Sequence, residues 1–293
     1  MTRTAPALAP ETEAAPRWGT LCAHWPEYLS ELGGLAWVML AAGTIAAVIW
    51  YPGSPVGRAV TAEPARRVLM GVGMASAVVA FVYSPWGKRS GAHLNPAITL
   101  SFLFLGKIRA RDAAFYIGAQ FCGAVLGMLL FAGLAGAWAS DRHVNYLVTV
   151  PGQWGASAAF AAELGITFAM MTLVLMASNL EWLRRLTGVL AGLLLAILIT
   201  FESPISGTSL NPARSFGSAA VAREWTALWI YLTAPTAGAL LASLVYARGL
   251  GRPVYCAKLH HPFDRHTARP CIFRCGYGAV AEPAPQPEKA RHA

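Results

Sequence analysis

Charge is scarce in this chain. Only 13% of its 293 residues are charged, while 56% are hydrophobic, and a soluble domain carries about twice that charged share. The shortage excludes both a well-solvated globular surface and a disordered chain. Catalytic signatures are missing as well: no His-Glu-x-x-His pair, no Gly-x-Ser-x-Gly elbow and no phosphate-cradling Gly-rich loop ending in Gly-Lys-Ser/Thr occurs. No nucleophile and base stand together in the apolar segments, so neither an enzyme nor a nucleotide-driven pump is expected, and nothing calls for a cofactor. The opening "MTRTAPALAPETEAAPRWGT" lacks the apolar core of about 7–15 residues that a cleavable signal needs, and residues 1–27 read as a disordered tail.

What the chain has is long hydrophobic runs. They lie near 31–50, 67–86, 113–134, 157–178, 186–203 and 226–247. About 20 apolar residues cross a hydrocarbon core of about 30 Å, so the expectation is an all-α membrane protein with six spans. The net charge of +9 follows from topology rather than from a nucleic-acid partner. With both termini on one side, 17 of the 23 basic residues fall on that side, and basic flanks collect in the cytoplasm. Trp50, Tyr51, Tyr83, Trp86, Trp182, Trp225 and Trp229 cluster near span ends, where interfacial aromatics belong.

The chain repeats itself. "SELGG" at 30–34 pairs with "AELGI" at 162–166, and "SGAHLNPAITL" at 90–100 with "SGTSLNPARSF" at 206–216. "AQFCGAVLG" at 119–127 is more weakly echoed by "APTAGALLA" at 234–242. Each half, about 28–135 and 157–248, holds three spans, so the second copy must enter the membrane from the opposite face. Inverted repeats with short interrupted segments at matching positions point to a solute pathway at their interface.

Asn is a strong helix N-cap, and Pro suits the first helical position. Asn95-Pro96-Ala97 and Asn211-Pro212-Ala213 therefore read as the starts of two short helices. At about 1.5 Å per residue, each covers about half the apolar thickness, so the two re-entrant half helices meet tip to tip near the midplane. One such motif alone could open any soluble helix; two, each preceded by Ser-Gly after the second span of a repeat, could hardly arise that way. Facing N-termini concentrate positive potential, which opposes cations and hydronium but not a neutral dipole. Arg214 is too costly to face lipid and must face a water-filled cavity or a partner; a structural pairing with a carboxylate such as Glu202 is the alternative. The first repeat has Ile98 at the matching position.

On these paired motifs the chain, over about residues 28–248, resembles the major intrinsic protein family of aquaporins and glycerol facilitators. The resemblance implies a passive channel for water and small neutral solutes that excludes ions and protons, in a plasma or inner membrane, assembled as a homotetramer. Its partners would be membrane lipid and the solutes, with no nucleic acid. It implies that Asn95 and Asn211 donate to passing oxygens, that Glu31 and Glu163 accept hydrogen bonds from the half-helix loops, and that His93 braces its loop. A four-residue filter carries over onto Arg214, Thr208, Ile199 and, in span two, Met74, or Ala75 if no insertion is allowed in "SPWGKRSGAH". Water-selective members place an aromatic and a histidine where this chain has Met or Ala and Ile, so the aperture should be wider and one wall apolar. Glycerol, urea or neutral metalloid acids would fit, as in nodulin-like members. Typical glycerol facilitators keep a filter aromatic and follow the arginine with Asp; here Ser215 follows it. A facilitator of such solutes with little water role is the alternative.

"GAVLG" at 123–127 and "GVLAG" at 188–192 are small-residue faces that would let helices approach closely. Beyond the last span, residues 249–293 form a cytoplasmic tail rich in Cys and His. Cys256, His260, Cys271 and Cys275 are candidate zinc ligands, with His261 and His266 nearby; an ordered cap without metal or a floppy basic tail are the alternatives. A stable disulfide is not expected on a reducing side. A metal- or redox-sensing protein acting through this tail is the competing class of function.

Overall fold

The computed structural model describes residues 17–250, 254–261 and 271–275. Eight helices carry the architecture: α1 (Arg17–Trp50), α2 (Glu63–Tyr83), α3 (Pro96–Phe104), α4 (Ala110–Ala135), α5 (Gly155–Asn179), α6 (Thr187–Phe201), α7 (Pro212–Ala222) and α8 (Leu228–Val245). Five are long and apolar enough to cross a membrane; α6 is apolar too but has 15 residues. The half helices α3 and α7 have 9 and 11 residues, about 14 and 17 Å at the usual rise. Six spans and two re-entrant half helices are thus the observed fold.

The packing is that of two interlocked repeats. α1 lies against α4 and α5 against α8, while α2 and α6 pack across the repeat boundary. Each half helix leans on the third span of the other repeat, α7 on α4 and α3 on α8. Glycine makes the crossings possible. A Cβ at Gly123 or Gly127 would strike the backbone of Leu32 or Ala36, and one at Gly238 the backbone of Leu164. The "GVLAG" face also packs closely on α2, against side chains rather than backbone, with Gly188 against Val82 and Gly192 against Val79. Outward faces remain apolar: Leu126, Leu130 and Leu134 on α4, and Leu193, Ile197 and Phe201 on α6, are exposed. Such stripes suit lipid rather than water.

One boundary is corrected. α1 starts at Arg17, so residues 17–27 are helical rather than part of a disordered tail. Asp112, fully buried in the first turn of α4, accepts hydrogen bonds from Tyr28 Oη at 2.6 Å and pairs with His24 Nδ1 at 2.7 Å. These bonds hold the early turns of α1 despite Pro26 within them. Residues 1–16 and 276–293, and His266, lie outside the described residues.

Candidate transport pathway

The loops that lead into α3 and α7 have one conformation, built twice. Gly91 and Gly207 take φ of 88° and 86°, and Ala92, Leu94, Thr208 and Leu210 also lie at positive φ. Non-glycine residues resist that region, so something must hold them. The holders are carboxylates. Glu31 accepts from the backbone N–H groups of His93 and Leu94 at 3.1 and 2.6 Å, and Glu163 from those of Ser209 and Leu210 at 2.6 and 2.8 Å. Gln120 donates to Glu31 and the Ser206 hydroxyl to Glu163. Tyr116 and Tyr231, both fully buried, donate to the carbonyls of Ser90 and Ser206 at 2.8 Å each.

Asn95 and Asn211 are N-caps with extended backbone, followed by Pro at the first helical position. Asn95 Oδ1 accepts from Ala97 N, and Asn211 Oδ1 from Ala213 N and Arg214 N. Their amide groups cross over. Asn95 Nδ2 donates to Leu210 O at 2.8 Å, and Asn211 Nδ2 to Leu94 O at 2.7 Å. An amide nitrogen carries two hydrogens, so each keeps a second donor. The two half helices therefore meet by their N-termini, with Ala97 and Ala213 fully buried beside the junction.

A cavity of about 580 Å³ passes this junction and is lined by both asparagines. α2 contributes Glu63, Arg67, Met70, Met74, Val78 and Val82 to its wall. At the helical rise these span about 29 Å, so the cavity runs nearly the length of a span. One end is bordered by Trp50 and Leu147, the other by His93 and Leu259. All four filter positions, Met74, Ile199, Thr208 and Arg214, line it. Of the two span-two candidates, Met74 lines the cavity, whereas Ala75 lies beside Gly192 of α6.

Arg214 is held from one side. Nη1 donates to Leu147 O at 3.1 Å and to Thr149 Oγ1 at 3.0 Å. Thr149 in turn bonds Ser215, and Ser215 bonds Ser209. Glu202 does not pair with it: no ion pair to Arg214 occurs among the described residues, and Glu202 accepts the Thr208 hydroxyl at 2.5 Å. Ile98, the counterpart of Arg214, also lines the cavity. Glu31 and Glu163 stand behind the loops and off the cavity.

At the other end His93 does more than brace its loop. Nδ1 meets Thr99 Oγ1 at 3.1 Å, and Nε2 donates to Ala257 O at 2.9 Å. Its ring stacks on Phe102 and on Phe273 of the tail, centroids 5.1 and 5.3 Å apart. The tail is thus packed beneath the loop. Cys256, Cys271 and Cys275 come together there, but the histidine that joins them is His261. His260, the expected candidate, turns the other way and packs on Tyr83 at 4.8 Å. Burial lowers the His260 pKa, with Lys88 adding to the effect. Burial would lower His261 too, but hydrogen bonds to Cys271 and Cys275 outweigh it and push it up to about 9.

Residues missed from sequence include Gln120, Thr149, Tyr116 and Tyr231. The tyrosines were within reach: continuing the 119–127 and 234–242 match three residues back pairs Tyr116 with Tyr231.

Known proteins resemble this chain in sequence and in fold. The family model described as Major intrinsic protein matches residues 23–246. Aquaporin NIP1-4 of Oryza sativa subsp. japonica is 36% identical over 195 residues, covering 64% of this chain and 69% of that one. Probable aquaporin NIP7-1 of Arabidopsis thaliana is 38% identical over 174 residues, covering 58% of this chain and 60% of that one. In fold, the chain is similar to the aquaglyceroporin from Plasmodium falciparum, with a TM-score of 0.65 and 21% identity, covering 78% of this chain and 97% of that one. With its paired loops, crossed half helices and family match over most of its length, this multi-pass membrane protein belongs to the major intrinsic protein family.

Proposed function

We propose that the chain is a passive channel for water and small neutral solutes that excludes ions and protons. One observation carries this: a cavity nearly as long as a span, passing the junction of two helix N-termini and lined by Asn95, Asn211 and Arg214. Two facing N-termini, each equivalent to about half a positive charge, oppose a cation in the middle. The spare amide hydrogens of Asn95 and Asn211 offer donors to a passing oxygen, whose lone pairs are then turned away from the next molecule in file. Arg214 presents N–H donors at the filter and repels cations there.

Met74 and Ile199 add apolar side chains to the same cavity, which suits solutes with a carbon face and hydroxyls, such as glycerol, and also urea and neutral metalloid acids. Names of relatives point the same way, aquaporins in sequence and an aquaglyceroporin in fold. The basic residues gathered on the His93 side support a reading in which both termini are cytoplasmic and the Arg214 filter faces outward across the cell membrane. Four copies form the homotetramer that family membership implies. The test is light scattering on proteoliposomes. Water flux together with glycerol, urea or boric acid flux is expected; water flux alone refutes the wide filter, and no flux of either kind refutes the channel.

A further inference from the structure

The tail beyond α8 holds a cluster that transport does not use. Its residues follow the pattern Cys-x4-His-x9-Cys-x3-Cys from Cys256 to Cys275. Cys256 Sγ lies 3.8 Å from Cys271 Sγ, and Cys275 Sγ 3.3 Å from His261 Nε2. All four ligand atoms fall within 4.8 Å of one another. A tetrahedral zinc ion with Zn–S of about 2.3 Å and Zn–N of about 2.0 Å sets sulfur–sulfur edges of about 3.8 Å and sulfur–nitrogen edges of about 3.5 Å. The two contacts of 3.8 and 3.3 Å lie near these edges, while the four atoms together fall within 4.8 Å. A disulfide would join two of the thiols and leave both the third cysteine and the histidine unexplained.

The surroundings suit a metal–thiolate centre. Zinc displaces the protons of its ligands on binding, and with three thiolates and a neutral histidine it carries one negative charge in excess; the Lys107 ammonium stands nearby, donating to the carbonyl of Arg274, the residue before Cys275, at 3.4 Å. Three thiolates and an imidazole in closed tetrahedral array select zinc among common divalent ions and leave no open position for catalysis.

Position gives the centre its role. The ligands come from two strips of the tail, Cys256 and His261 from one, Cys271 and Cys275 from the other. The first strip is bonded to the pore loop through His93 to Ala257 O and through Leu259 N to Gly91 O at 3.1 Å. The second is bonded to the link between α3 and α4 through Arg274 N to Lys107 O at 3.0 Å, and its Phe273 stacks on His93. Leu259 borders the cavity at this end.

We propose that Cys256, His261, Cys271 and Cys275 bind one structural zinc ion that clips the two tail strips together against the His93 end of the cavity, holding Leu259 at its mouth. The metal chemistry stands apart from transport and is tested apart from it. The full chain, purified in detergent, should retain one zinc per chain through dialysis, read by mass spectrometry. Exchange for cobalt should give the intense visible bands of tetrahedral coordination together with thiolate charge transfer. Removal of the metal by a strong chelator should abolish hydrogen-exchange protection at residues 254–261, and zinc should restore it, with the helical circular dichroism unchanged. The variant C271S should lose the cobalt bands, while H260A should keep them. Absence of stoichiometric metal, a weak octahedral cobalt spectrum, thiols found paired in a disulfide, or tail protection indifferent to chelation would each overturn the proposal. Because the chelation measurement uses the unaltered chain, a C271S variant that fails to fold does not decide the matter.

Discussion

Asn95 and Asn211 are linked by exchange: each donates its side-chain amide to the carbonyl just before the other, Leu210 for Asn95 and Leu94 for Asn211. The bonds are 2.8 and 2.7 Å. Because each asparagine also caps its own helix, a single residue type fixes both the start of the half helix and its contact with the other. That double duty explains why the motif must occur in two copies and on opposed segments.

Replacing Asn211 by Asp should keep the cap, since aspartate caps as well as asparagine, but lose the donated bond to Leu94. It would also place an acceptor with negative charge where N-terminal dipoles repel cations. Folding should survive while a proton or cation leak appears, measured with a pH-sensitive dye trapped in proteoliposomes.

Glu163→Gln attacks the loop from behind. Its amide can supply one acceptor oxygen where the carboxylate takes two backbone N–H groups and the Ser206 hydroxyl. Leaving a buried donor unsatisfied costs about 1–3 kcal/mol. The variant should melt lower in detergent than wild type, and Glu31→Gln should behave alike because its loop is built alike.

Gly123→Val tests the crossing of α1 and α4. A Cβ there collides with the Leu32 carbonyl, and backbone cannot yield as a flexible side chain does. Overpacking of this kind costs about 1–3 kcal/mol or more. Loss of folded protein in size-exclusion profiles is expected, whereas valine at Gly118, where no neighbour lies within 4 Å, should be tolerated.

In the proposed channel, Arg214 and its two apolar companions, Met74 and Ile199, set selectivity. The double variant Met74→Phe, Ile199→His should narrow the cavity and add a polar ring, sharply lowering glycerol and urea flux while water flux persists. Arg214→Val should do the reverse, passing larger neutral solutes and admitting cations. Solute-gradient light scattering reads both.

The repeat pattern made the half helices and their caps legible, because helix-start chemistry is local and the same residues occur twice; it paired Glu31 with Glu163, but their bracing role came from the family resemblance. Met74 over Ala75 was not legible, since one residue of uncertainty in a loop turns the helix by a quarter of a circle or more. Polar groups isolated in apolar spans were harder still. Asp112 holds Tyr28 and His24 across most of a repeat, and no periodicity announces a partner so remote. The tail showed its ligand types but not which of two adjacent histidines joins them, because that depends on how an irregular segment turns as it packs on Tyr83 and His93.

The central claim is that a neutral file passes the meeting point of two electropositive helix ends. Osmotic water permeability and proton permeability measured on the same proteoliposomes test it most directly. Rapid shrinkage, well above that of protein-free vesicles, with proton flux equal to theirs is the predicted result. Water flux accompanied by proton flux, or shrinkage no faster than in empty vesicles, would contradict it.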